Sequence, residues 1–145
     1  MKLSMAVLCD RATVREGLLH VLGAGVTVLA VPLPAPLDVD LAVLLSPADY
    51  VELAGSHKMT VRVTEVEGGR RLGEIQTGWF GPSAPPDEDL PQPSLPVSVP
   101  LRGLLIERYG QHRIVIEVDG GEVETLEFLV RDPGSVLAGV TSQPQ

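Results

Sequence analysis

Three histidines and one cysteine are the side chains of this 145-residue chain best suited to nucleophilic, acid–base or metal chemistry. His20, His57 and His112 stand far apart, in three different strand contexts, and no His-x-x-x-His or Cys-x-x-Cys spacing is present. No zinc-ligand set is therefore written into the sequence. Cys9 beside a histidine would make a nucleophile–base pair, a contact that sequence alone does not establish. Within its apolar strand, on the inward face it shares with Met5 and Val7, an inert, buried thiol is the expected state. There is no Gly-x-Ser-x-Gly elbow and no Walker loop, and Gly23-Ala24-Gly25 lacks the strand–helix context of a phosphate cradle. Asp38 and Asp40 share a strand face, as residues two apart do, and paired carboxylates can do acid–base work. On a sandwich, such a face is expected to meet solvent. Asp87-Glu88-Asp89 offers oxygen ligands to a hard cation but lacks the spaced Asp-x-Asp-x-Asp-Gly loop, so it reads as a solvated charge run. No catalytic residue, metal ligand or cofactor is expected.

Trp79 and Phe80 are the side chains that suit contact rather than catalysis. They open the segment Gly78–Ser94, GWFGPSAPPDEDLPQPS, which carries five of the thirteen prolines. Long, proline-rich connections in compact domains are often functional or disordered. On one reading Trp79 and Phe80 anchor a protein partner, because aromatics dominate interface hot spots. On the other they fold back over an open sandwich end and pin the loop. Neighbours on a strand alternate faces, so one ring is expected inward and the other outward.

The elements that would position these residues are strands. Hydrophobic residues make up 44% of the chain, enough for one buried core and too many for a disordered chain. Thirteen scattered prolines exclude long helices. A formal charge of -8 argues against nucleic acid, which is bound by neutralising phosphates. No apolar run reaches the ~20 residues of a membrane span. The start is too short for a signal core, and a lone cysteine needs no oxidising compartment, so a cytoplasmic location is expected.

Period-two alternation predicts strands over Met5–Cys9, Leu18–Leu22, Val26–Val31, Val39–Val43, Lys58–Val63, Leu72–Thr77, Leu95–Leu101, Arg113–Val118 and Glu124–Val130. Glu67-Gly68-Gly69 and Asp119-Gly120-Gly121 are hairpin turns. Pro96 and Pro100 confine their strand to an edge. Met59, Val61, Val63, Ile114, Ile116, Val118, Leu126, Phe128 and Val130 should line one core. Only Pro47–Ala54 reads as helical, with Ser46 as cap and Gly55 as stop. The expected fold is all-β: an antiparallel β-sandwich of about eight strands with one short helical turn, forming a single domain over 1–133 with a flexible tail at 134–145.

The opening Ala6-Val7-Leu8-Cys9-Asp10 is followed by Gly23-Ala24-Gly25, the strand after it and a proline stretch. His57 leads into Val61-Arg62-Val63 and Glu67-Gly68, and the chain closes on Tyr109-Gly110 and Ile116-Glu117-Val118-Asp119-Gly120. In this order of features, over about residues 3–131, the chain resembles a family of small bacterial proteins catalogued as a domain of unknown function. The terminal hairpin is also similar to that of immunoglobulin-like modules. The resemblance implies a β-sandwich and carries no catalytic residue.

The expected role is a non-enzymatic module acting through a protein partner or self-association, with Trp79 and Phe80 as the contact residues and neither nucleic acid nor membrane as partner. A small-molecule or carbohydrate-binding module, its ligand at the sandwich end near the long loop, is the alternative. A hydrolase with an unrecognised carboxylate–histidine site is the third reading.

Overall fold

The structure, a computed structural model, describes residues 1–81 and 89–134. Strands numbered in chain order form two facing sheets. The first contains β1 (Lys2–Arg15), β2 (Leu18–Ala24), β5 (Asp40–Ser46) and β8 (Leu95–Pro100), in the order β2-β1-β5-β8. The second contains β3 (Val28–Ala30), β6 (Gly55–Glu65), β7 (Arg71–Gly81), β10 (Gly110–Val118) and β11 (Gly121–Arg131), in the order β3-β11-β10-β6-β7. β4 (Ala35–Pro36) and β9 (Leu105–Ile106) make a two-stranded clip. The architecture is the expected all-β sandwich with one short helix.

The core forms where alternation demanded it. Met59, Val61 and Val63 of β6 face Ile114, Ile116 and Val118 of β10, with Phe128 and Val130 of β11, and all are buried. Leu126 packs against them half-buried. Leu41, Val43 and Leu45 of β5 and Val99 of β8 close the core from the first sheet. As Pro96 and Pro100 require, β8 lies at a sheet edge.

Four expectations need correction. First, Val26–Val31 contracts to Val28–Ala30, which pairs parallel with β11, the one parallel pairing among the described residues. The chain there is crossing between sheets, and the Gly25 and Val26 amides still donate to the Leu8 carbonyl. Second, β1 has the opposite phase. A register shift between Leu3 and Met5 turns Ala6 and Leu8, rather than Met5 and Val7, onto the core. Third, the helix α1 spans only Tyr50–Leu53, and its cap is Asp49, whose carboxylate accepts the Glu52 amide at 2.7 Å. Ser46 ends β5 instead. Fourth, Asp38 and Asp40 do not share a solvent face: Asp40 is buried. Asp87, Glu88 and the tail from 135 lie outside the described residues. Strand β7 runs on to Gly81, so the long connection begins later than Gly78.

Ile116 sits fully buried at the centre of the second sheet. Ile116→Ala should therefore destabilise the fold by about 2–5 kcal/mol, read as a lower denaturant midpoint at unchanged m-value.

Candidate functional site

The aromatic pair stands where β7 ends. Trp79 lies across from His57 in the β6–β7 ladder, stacks on its ring at 5.7 Å between centroids, and packs against the core. Its neighbour Phe80 points the other way and is 85% exposed. The backbone beneath is fixed by close packing. A Cβ on Gly81 would lie 1.8 Å from the Leu53 carbonyl oxygen, so only glycine lets β7 meet the end of α1. Phe80 is thus an apolar ring held in solvent on a rigid strand.

His57 is the clamp under this end. Its Nδ1 lies 2.7 Å from Asp119 Oδ2, and its Nε2 lies 3.0 Å from the Leu53 and 2.9 Å from the Ala54 carbonyl oxygens. All three partners accept, so the arrangement is fully satisfied when both ring nitrogens carry hydrogen, and it favours the imidazolium. The Asp119 hydrogen bond raises the His57 pKa above its ordinary value, against the opposing effect of burial. Burial alone would raise Asp119, but His57 and the Lys58 amide outweigh it and hold the carboxyl below its usual range. Neither nitrogen faces a cavity with a free lone pair, so the pair fastens α1 to the turn after β10. The Asp119-Gly120 turn was legible in the sequence; its role as partner to a histidine 62 residues earlier was not.

His20 and His112 are elsewhere. His112 is buried, stacked on Phe128 at 5.2 Å, with Nδ1 2.9 Å from the Gly110 carbonyl oxygen. His20 lies on the exposed strand β2. Cys9 is fully buried and its thiol donates to the Asp40 carbonyl at 3.4 Å. Burial, then the Asp40 and Asp10 charges, push its pKa up, only partly offset by Arg11. An elevated thiol is a poor nucleophile. No group of three His, Cys, Asp or Glu side chains among the described residues is placed to hold a metal.

A second feature was not foreseen. Past Cys9, β1 leaves β5 and pairs with β2 to form a hairpin arm. The arm leans back over the outer face of its own sheet. Its tip residues Gly17–Val21 share a groove with Met5 and Leu44, and Val14 lines another with Trp79 and β8. Asp40 secures its base: Oδ2 accepts the Ala12 amide at 2.9 Å, and Oδ1 accepts Arg102 Nη2 at 2.9 Å. Arg11 and Arg102 also reach Asp38, at 3.2 and 3.5 Å. An open groove of about 590 Å³ lies between the arm and this cluster, bordered by Arg11, His20, Leu22, Pro100 and Arg102. This groove lies at the arm's base, away from the sandwich end near the long connection.

The chain belongs to a family of unknown function, DUF6941, whose profile matches residues 4–131. No curated protein and no solved structure matches it. No helix among the described residues is long and apolar enough to cross a membrane.

Two outcomes follow from this geometry. Asp40→Ala leaves the Ala12 amide and Arg102 without their acceptor. It should cost on the order of 2–4 kcal/mol and speed amide exchange in residues 11–24, measured by hydrogen–deuterium exchange. The His57 clamp should appear in the pH dependence of stability. Because the folded chain holds the His57 proton more tightly than the unfolded chain, this stabilisation is complete below the ordinary histidine value and is lost as pH rises through the raised one. Asp119 contributes in the opposite sense, losing its stabilisation as pH falls through its lowered value. Melting temperature scanned from about pH 5 to 9 should decline toward the alkaline end in the native chain and stay flatter in His57→Gln.

Proposed function

We propose that this member of the DUF6941 family is a non-enzymatic protein-interaction module that docks a protein partner at the Phe80 end of the sandwich. One observation carries this reading: a phenylalanine ring, 85% exposed, on a strand whose next residue is locked against α1 and whose preceding residue is stacked into the fold. An isolated exposed apolar side chain needs no explanation. A rigidly mounted aromatic one is different, because it contributes large contact area with little further loss of conformational freedom. The His57 clamp supports the reading, since both of its nitrogens are occupied in holding the platform together.

A small-molecule-binding module is the second reading, favoured by the groove of about 590 Å³ at the arm's base, a volume within the usual 300–1,000 Å³ range of ligand sites. Its arginines are already paired with Asp38 and Asp40, so the groove suits a neutral polar ligand better than an anion. We place the protein in the cytoplasm, consistent with a buried free thiol at Cys9. We read the sandwich as immunoglobulin-like on the strength of its last hairpin.

Paired substitutions test the partner reading. Phe80→Ala should leave the melting temperature within the range of ordinary surface changes, about ±0.5 kcal/mol in stability, and abolish capture of the protein partner. Trp79→Ala should lower the melting temperature by removing a ring packed on the core. Equal destabilisation by both, with capture unchanged, would overturn the proposal. A thermal-shift screen of small polar molecules, sugars included, checks the second reading, because a ligand at a hundred times its Kd adds ~2.7 kcal/mol.

A further inference from the structure

Among the described residues, the free edges of the two sheets are β2 and β8 in the first and β3 and β7 in the second. Unpaired edges invite another strand, and folded proteins blunt them with proline, charge or brevity. Three of these edges are blunted in that way. β8 carries Pro96 and Pro100, β3 is only three residues long, and β7 carries Arg71 and Glu74. β2 has none of these protections. Its seven residues, Leu-Leu-His-Val-Leu-Gly-Ala, contain no proline and no Lys, Arg, Asp or Glu. Leu18 and Leu22 stand 62% and 66% exposed.

The hairpin turn fixes which backbone groups this edge presents. Glu16 and Gly17 have φ of 54° and 72°, the left-handed pair of a two-residue turn closed by Arg15 and Leu18. The closing pair of such a hairpin exchanges hydrogen bonds, and pairs alternate thereafter. Leu18, His20 and Leu22 therefore direct their amides and carbonyls at β1, while Leu19 and Val21 direct theirs at the open edge.

The sequence of this edge is close to a palindrome about His20, with Leu19 matched by Val21 and Leu18 by Leu22. We propose that β2 pairs antiparallel with β2 of a second copy about a two-fold axis at His20, joining the first sheets of two chains into one. In that register Leu19 of each copy exchanges backbone hydrogen bonds with Val21 of the other. Leu18 of one copy packs on Leu22 of the other, so the two most exposed leucines cover each other. Such an interface is self-complementary, as a two-fold contact must be. Charge also fits. The whole chain is at -8, but residues 11–24 hold two arginines and one glutamate, so two copies meet through the segment that does not share the acidic charge. This surface is separate from the Phe80 end, and the two proposals stand or fall apart.

Sedimentation equilibrium and light scattering on the full chain should show a particle of twice the 15.4 kDa chain mass that dissociates on dilution. The double variant Leu18→Lys/Leu22→Lys should be a monomer with unchanged circular dichroism and melting temperature, because both side chains are in solvent in the single chain. Register is read by cross-linking. Strand neighbours outside the hydrogen-bonded pairs lie ~4.5 Å apart at Cα, within disulfide reach. His20→Cys exposed to oxidised glutathione should therefore form a covalent dimer about tenfold faster than Thr13→Cys, its neighbour across β1. A native chain that stays monomeric at high micromolar concentration overturns the proposal. So does a dimer that survives the double lysine variant, or equal cross-linking at the two positions. Loss of the dimer in Phe80→Ala alone would assign self-association to the aromatic end, defeating the edge proposal and leaving the partner-docking reading in place.

Discussion

A single buried carboxylate joins the two parts of this molecule. Asp40 lies at the end of β5 where β1 stops pairing with that strand and begins pairing with β2. One oxygen takes an amide from the departing strand, and the other takes the Arg102 guanidinium from the segment after β8. A buried charge is costly unless both its lone-pair directions are met, and here the two partners belong to segments 90 residues apart in sequence. Meeting that demand holds the arm at its base. It also accounts for β5, whose residues are buried on both faces although the strand belongs to a two-layer fold. The core covers Leu41, Val43 and Leu45, and the arm covers the Asp40 side.

The second sheet covers its outer face by different means. Arg62 of β6 bonds Glu117 of β10 through both terminal nitrogens, at 2.5 and 2.9 Å, and Glu74 of β7 through Nε at 2.9 Å. These hydrogen bonds hold both carboxyls below their ordinary range, Glu74 with a first contribution from Gln76, and raise the guanidinium further still. Three strands are thereby laced by cross-strand charge pairs on a face that water reaches, where each pair is worth little alone and the network fixes register. Lys58–Val63 shows the division: Met59, Val61 and Val63 build the core, while Arg62 on the opposite face binds the neighbours.

Fold class, main strands and core of the second sheet were legible because their alternation is strict and one face meets solvent. The phase of β1 was not, since a register shift between Leu3 and Met5 swaps its faces without altering composition. Asp40 escaped for a related reason. Two carboxylates two apart on a strand read as a wet face, and only the return of a distant arm makes one of them dry. The helix was legible in place but not in extent, because Asp49 competes with Ser46 for the cap and lies closer to the residues that turn. At the aromatic end, alternation foretold that Trp79 and Phe80 would part. Which of them turned inward depended on His57 across the ladder, a pairing set by the hairpin register.

The arm and the aromatic end also meet. Val14, near the arm's tip, lines a groove of about 230 Å³ with Thr77, Trp79 and β8 residues Leu95–Ser98. The outer rim of the Trp79 platform is therefore made by a segment that reaches it only because Asp40 holds the arm down. An arm released at its base would uncover apolar surface on both sides of this groove, Val14 from the arm and Trp79 from the sheet. Surfaces built from two independently anchored segments respond to whichever anchor is weaker. Here one anchor is the Asp40 pairing at the arm's base and the other is the His57–Asp119 clamp under α1. The arm's anchor joins an arginine 42% exposed to an aspartate 4% exposed, and the clamp joins a histidine 11% exposed to an aspartate 45% exposed, so each sets one buried group against one that meets water. Loosening either anchor would therefore open the groove between Val14 and Trp79.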